Sequence, residues 1–383
     1  MPTQPPTHPP GLAQRRATRL AFFIAGAGMS GWAPLVPYAK ARAGLDDAVL
    51  GMLLLCLAVG SLLTMPLTGV LVARYGCRRV ILAGSLLLAA PLPLLATLSS
   101  LPALALSLLV FGAGLGCLDV AMNLQAVILE RAGGRPMMSG FHARFSLGGI
   151  AGAGGMAALL ALGFSPVVAS LVLVGVIAAV AIAAAPNLLS EPTPPGPGGR
   201  PANNFAIPHG RVILLGTLCG IAFLAEGAVF DWSAVFLTAA RAMPTAQAGL
   251  GYAAFSLTMT LGRLGGDRLV RRHGTHATVV ASALAAAGGI LLVILVPAWP
   301  AAILGYAIVG AGCANIAPVL FTLAGKSAMP DAAAIPAMMT MGYAGLLVGP
   351  TAIGWIAHAT SLATAFLLVA LLLIATALAG RRL

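Results

Sequence analysis

The sequence predicts an all-α integral membrane protein of twelve transmembrane helices, built as two six-helix bundles related by a pseudo-two-fold axis. Three observations lead there. The 383 residues are 60% hydrophobic and only 8% charged, with mean hydropathy +1.00, whereas soluble domains carry roughly 25% charged residues. Apolar runs long enough to cross a bilayer, which takes about 20 residues, recur along the whole chain. Short elements of the first half also return in the second half at nearly constant offset.

Taken in order, residues 1–16 predict a disordered tail, with five prolines in the first ten positions and no apolar periodicity. Arg15, Arg16 and Arg19 ahead of Leu20–Tyr38 resemble the start of a secretory signal. Further spans follow at once, so the run reads as an uncleaved first helix. Helices are predicted at 18–38, 48–73, 79–98, 102–130, 137–162 and 165–185, making an N-terminal bundle over 17–185. Residues 186–210 hold seven prolines and four glycines and predict a flexible linker outside the hydrocarbon. The C-terminal bundle, 211–383, contains helices at 211–239, 245–268, 275–297, 300–324, 332–357 and 361–380. The runs are continuously apolar rather than alternating, which excludes a closed β-barrel.

The basic residues sit between these runs. If both termini share one side, that side receives sixteen of the 21 Lys and Arg residues; the other receives only Lys40, Arg42 and Arg241, and Arg144 and Arg263 fall within helices. That imbalance predicts cytoplasmic termini and a cytoplasmic linker. The net charge of +12 is therefore a topology signal; a nucleic-acid surface would gather the charges on one face. The five cysteines lack paired or metal-ligand spacing and read as small packing residues, with no disulfide framework and no metal site.

The halves echo one another. Gly116-Cys-Leu-Asp119 corresponds to Gly312-Cys-Ala-Asn315, Arg74-Tyr-Gly76 to Arg272-His-Gly274, and Met137-Met138 to Met338-Met339. Parallel repeats about an axis normal to the membrane are an arrangement used by transporters. Between the second and third helices, Gly69-Val-Leu-Val-Ala-Arg74-Tyr-Gly76-Cys-Arg78-Arg79 resembles the cytoplasmic signature of the major facilitator superfamily. The glycines and Arg74, Arg78 and Arg79 fit it, while Ala73 replaces the signature aspartate. In that family the carboxylate helps to latch the cytoplasmic side, so the resemblance puts the usual latch in doubt. Gly266-Asp267-Arg268, with Arg263 and Asp267 at i,i+4, is a partial substitute. The resemblance covers residues 17–382. Ala225-Glu-Gly with Asp231-Trp232, Asp119-Val-Ala-Met-Asn123 and His142 with Phe145-Ser-Leu-Gly148 bring the chain close to a bacterial inner-membrane subgroup. Relatives there carry glutamate at the position of Asp119 and an aromatic residue at that of Arg144.

The candidate site residues are the polar groups inside apolar runs. Glu226 stands about 15 residues into the seventh helix, near the bilayer midplane at 1.5 Å per residue. An acid there costs on the order of 2.5–3.5 kcal/mol on insertion scales, so it is expected to carry protons or to be held in a fixed pair. Asp231 lies about 140° further round the same helix, beside the interfacial Trp232. Asp119 and Asn123 share one face of the fourth helix. Arg144, two turns into the fifth, is placed to meet Asp119, either as a structural ion pair or as a binding site. His142 is a candidate proton relay or helix–helix hydrogen bonder. Asn315 is a candidate uncharged contact, and Trp32 a stacking surface or a packing residue.

No Walker lysine motif, nucleophile elbow or metal-ligand cluster occurs, so neither an enzyme nor an ATP-driven pump is predicted and no cofactor is implied. The resemblance implies a secondary transporter of an unidentified small-molecule substrate; a monomer is expected, with protons as the coupling partner through Glu226, and Asp119 as a second candidate. The lining points to a polar or weakly charged solute rather than a strongly anionic one. Two alternatives stay open at the level of sequence: a drug or metabolite efflux antiporter of the same fold, and a non-transporting sensor or scaffold.

Overall fold

The computed structural model describes residues 11–45, 47–191, 210–243, 250–326 and 331–380. The proline-rich first ten residues and most of the linker, 192–209, lie outside the described residues. Those described form helices and no strand.

Helix α1 (Leu12–Gly31) starts inside the segment expected to be tail. Its first turn, Leu-Ala-Gln-Arg, consists of good helix formers. The first helix, expected to be unbroken over 18–38, stops at Gly31, passes through a 3-10 turn (Ala33–Leu35) and resumes as α2 (Val36–Ala43). Pro34 explains the break: it supplies no N–H to the Ser30 carbonyl and its ring crowds that oxygen. Helix α3 (Asp47–Ala89) has 43 residues, about 65 Å at 1.5 Å per residue and roughly twice the hydrocarbon thickness. It is broken once, at Gly76 (φ 79°, ψ 161°), a conformation essentially restricted to glycine. The short α4 (Pro91–Leu95) prolongs it.

There follow α5 (Leu101–Gly133), α6 (Met138–Ala161) and α7 (Pro166–Ala184). Ser165 caps α7 by accepting the Val168 N–H at 3.3 Å. After it, α8 spans Arg211–Arg241. Helix α9 (Leu250–Leu295) repeats the design of α3, with 46 residues and one break at Gly274 (φ 81°, ψ 168°). Where one helix is expected over 300–324, two occur, α10 (Trp299–Cys313) and α11 (Ile316–Ala324). Pro318 withholds the N–H that the Ala314 carbonyl would accept. Helices α12 (Asp331–Ala359) and α13 (Leu362–Gly380) complete the chain. Divided at Gly76 and Gly274, with the proline-broken pairs counted as one each, these helices supply the twelve expected segments among the described residues.

The chain groups into two compact units. The first holds α1–α5, α6 from Arg144 onward, α7 and the start of α12 to Ala337; the second holds Met138–Ala143 of α6, α8–α11, α12 from Met338 and α13. Inside each unit the same contacts recur. A Cβ at Gly112 of α5 would run into the Leu57 carbonyl of α3, and one at Gly310 of α10 into the Phe255 carbonyl of α9. Glycine at these positions lets backbones approach, as helix pairs in lipid require. Arg42 donates to the Leu95 and Leu98 carbonyls at 2.7 and 3.0 Å, closing the end of α4. Arg241 donates to the Val293 and Ile294 carbonyls at 2.7 and 2.9 Å, closing the end of α9. Large apolar side chains such as Leu86, Leu162, Ile182 and Trp355 are exposed, as a lipid-facing surface permits.

Candidate functional site

The second unit contains the charged centre. Glu226 and Phe230, one turn apart, share a face of α8; Tyr252, Ser256, Met259 and Arg263 share a face of α9 over three turns. The faces meet twice. Arg263 Nη2 stands 3.7 Å from Glu226 Oε1, with their side chains 9% and 21% exposed. The Phe230 and Tyr252 rings meet edge to face at 5.1 Å. The Glu226–Arg263 distance exceeds a direct hydrogen bond, and Glu226 Oε1 is buried without a hydrogen-bond partner. The pair is thus an electrostatic contact rather than a direct hydrogen bond.

The break between α10 and α11 faces this centre. Asn315, only 2% exposed, donates from Nδ2 to the Gly262 carbonyl at 3.2 Å. Its Oδ1 is buried without a partner and packs where a side chain on Gly266 would otherwise lie. One turn beyond Arg263, Asp267 accepts the Gly140 N–H on its Oδ2 at 3.0 Å. His142 stacks on Phe321, with centroids 5.7 Å apart and planes inclined by 19°. Asp231 is exposed on α8, on a different face from Glu226 by its angular offset, and lies within electrostatic reach of Tyr252. Arg268 is exposed as well.

In the first unit Asp119 is buried. Asn123 donates to its Oδ1 at 3.0 Å and to its carbonyl at 2.9 Å, so the two work as one group on α5. The expected meeting of Asp119 with Arg144 does not occur: Arg144 is exposed on α6 and forms no ion pair among the described residues. It follows directly on the buried Ala143. Trp32 is buried at the break after α1, and its Nε1 has no hydrogen-bond partner. That environment fits packing.

The signature loop holds a contact that spacing did not announce. The Arg78 N–H donates to the Leu189 carbonyl at 2.7 Å, and a Cβ on Gly76 would collide with the Ser190 carbonyl. Leu189 N–H in turn donates to Gln125 Oε1 at 3.0 Å, and Gln125 Nε2 donates to Thr18 at 2.8 Å. The first linker residues are therefore strapped under the loop rather than free. Gly69 is buried, Arg74 lies over the Tyr75 ring at 5.3 Å, and Arg79 is exposed. Gln125 was missed; a lone amide within an apolar helix was the available signal.

Known proteins agree with this architecture. The model of the Major Facilitator Superfamily matches residues 19–335. The chain is 52% identical over 373 residues to an uncharacterized MFS-type transporter of Yersinia pestis, covering 97% of this chain and 96% of that protein. It is similar to a crystal structure of the MFS transporter FucP in the outward conformation, with TM-score 0.81 at 17% identity, over 98% of this chain and 99% of that one. A second crystal structure, of the E. coli fucose:proton symporter FucP, gives TM-score 0.77 at 18% identity, over 96% of this chain and 98% of that one. Likeness at such identity speaks for the fold alone, and the sequence matches supply the rest. The chain belongs to the Major Facilitator Superfamily and is a multi-pass membrane transporter rather than an enzyme.

Proposed function

We propose that the protein is a proton-coupled secondary transporter of a small solute, working by alternating access of the bundles 17–185 and 211–383, with Glu226 as the proton carrier. The observation behind this is the loose Glu226–Arg263 pair at 3.7 Å. An acid in the middle of a membrane helix needs a partner or a use, and this one has a partner that it can release. Arg263 moves accordingly from the cytoplasmic gate, where its spacing from Asp267 had put it, to the coupling centre. It lies roughly 16 Å from the break at Gly274, at 1.5 Å per residue, and so well inside α9. Asp119 with Asn123, Asn315 and His142 are proposed as secondary polar contacts; Arg144, Asp231 and Trp32 drop out. The fold relative FucP is named as a proton symporter, which is consistent with this coupling. Location in a bacterial inner membrane, as a monomer with cytoplasmic termini, belongs to the same reading.

The test uses the full chain in liposomes containing a pH-sensitive dye, with pooled solutes supplied outside. Wild type is expected to acidify or alkalinise the lumen when its solute is present, and Glu226→Gln to abolish that signal while solute exchange persists. The sign of the pH change reports uptake or efflux. A proton signal that is unchanged in Glu226→Gln removes Glu226 from the mechanism.

A further inference from the structure

We infer that the first unit carries a site for an anionic phospholipid, with one acyl chain in an apolar groove between α1, α6 and α7 and the phosphate on Arg16 and Arg144. The groove has a volume of about 100 Å³ and no polar side chain lines it. Its floor is Ala27, Gly152 and Leu173, which are buried, while Ala151, Gly155 and Val176 on its rim are exposed. A polar solute or a water molecule finds no hydrogen bond there, and left empty the walls forfeit their contacts. Two glycines shape it in opposite ways. A Cβ at Gly152 would run into the Ala27 carbonyl, so close packing fixes the floor, whereas one at Gly155 would meet nothing within 4 Å.

The charges stand on the helix faces that form the groove. Arg16 precedes the lining residues Phe23 and Ala27 by seven and eleven positions, and Arg144 precedes Ala151 and Gly155 by the same intervals. Such spacings return to within about 20° of one direction. Helices α1 and α6 run parallel, because a Cβ at Gly148 would strike the Phe23 carbonyl and one at Gly152 the Ala27 carbonyl. In that register Arg144 lies about 4.5 Å further along the pair than Arg16. Helices so closely packed have axes about 8 Å apart, so both guanidiniums reach one phosphate, whose oxygens their planar forks match. Both arginines are exposed, and neither forms an ion pair among the described residues. No aspartate or glutamate occurs in α1, α6 or α7. The acids on adjoining elements are Asp119 and Glu130 of α5, both buried, and Glu191 beyond α7. The groove begins about 10 Å along the helices from the arginines, within reach of an acyl chain that spans half of a hydrocarbon core about 30 Å thick. In the proposed orientation the arginines face the cytoplasmic leaflet, where basic pockets between transmembrane helices bind anionic head groups. Arg144, which has no place at the Glu226 centre, acquires its role here.

The test takes the full chain in a non-ionic detergent and titrates it with phosphatidylglycerol, with phosphatidylcholine of the same acyl chains, or with glycerol 3-phosphate. Native mass spectrometry counts the molecules retained. Each arginine beside an anionic head group contributes about a fivefold gain, so phosphatidylglycerol is expected to bind about 25-fold more tightly than phosphatidylcholine. Arg16→Gln and Arg144→Gln should each lower that preference about fivefold, and Arg268→Gln, at an exposed position of the second unit, should leave it unchanged. Gly155→Leu fills the groove and should bring phosphatidylglycerol down to the level of phosphatidylcholine. Gly154→Leu, where a Cβ also meets nothing but which lies off the groove, should not. Glycerol 3-phosphate should neither bind nor compete. Equal retention of the two lipids overturns the inference. So does a loss in Arg268→Gln that matches the loss in Arg144→Gln, since the preference is then a bulk charge effect. Displacement of the lipid by glycerol 3-phosphate overturns it by leaving a phosphate site without a lipid. A dimer that holds no lipid and that Gly155→Leu dissociates puts a second copy in the groove and overturns it too. Should Gly155→Leu fail to fold, the double variant Arg16→Gln, Arg144→Gln decides, because a preference that survives it is fatal to the inference.

Discussion

Gly76 and Gly274 adopt one glycine-only backbone conformation, yet their surroundings differ. Gly76 lies against the Ser190 carbonyl, whereas Gly274 has nothing within 4 Å of where a Cβ would be. Gly274→Ala is expected to lose stability through backbone strain alone, about 1–3 kcal/mol. Gly76→Ala should lose more, because the strap must also shift, and it should expose residues 188–191 to protease where Gly274→Ala does not. Chemical unfolding of the two variants checks the order. At this scale the sequence was readable where one residue contradicts its surroundings. Glu226 stood out as an acid in an apolar run. Its partner did not, because Arg263 had a nearer acid, Asp267, at helical spacing, and pairing across helices leaves no trace in spacing. Asp119 and Arg144 failed for the converse reason: similar expected depth says nothing of which way a helix face turns.

Among elements, the two arginine closures are equivalent. Arg42 and Arg241 each spend a guanidinium on the last carbonyls of a helix, which otherwise lack partners. Hydrogen bonds from a charged donor are worth about 1.5–3 kcal/mol each. Arg42→Ala and Arg241→Ala are therefore each expected to destabilise by a few kcal/mol on that scale. Hydrogen exchange should quicken at the C-terminal end of α4 for the first and of α9 for the second, and a spread of the change over the whole unit would contradict a local cap. Helix positions were legible from apolar runs, and the glycine breaks from the repeated Arg-x-Gly. The breaks at Pro34 and Pro318 were signalled by the prolines themselves and overlooked because hydropathy stays high through both. Hydropathy measures burial in lipid and is blind to the ladder of hydrogen bonds.

For the whole molecule, composition and the recurring apolar runs were enough to give class and span number, since each follows from the cost of placing charge in hydrocarbon, and the charge imbalance predicts an orientation. The substrate was not legible, because it depends on side chains from distant helices meeting at one depth. The orientation is checked with reporters fused after residue 383: green fluorescent protein is expected to fluoresce and a periplasmic phosphatase to stay inactive. An active phosphatase would reverse the topology. Only Lys40, Arg42 and Arg241 fall on the minority side, and two of these three have their charge occupied by backbone carbonyls.

The strap under the signature loop also sets a clock for synthesis. Gln125 must wait for Leu189, 64 residues later, which is about 3–13 s at 5–20 residues per second. Until then its carbonyl lacks this N–H, and the Arg78 N–H lacks its acceptor. The first half of the nascent chain thus becomes complete only when α7 has been threaded and the connector begins to emerge. Gln125→Leu is expected to lengthen the interval between synthesis and protease resistance in pulse-labelled cells, while substitutions confined to α13 leave it unchanged. Completion of one half before the other is made gives a duplicated protein a moment at which its two similar halves cannot be confused.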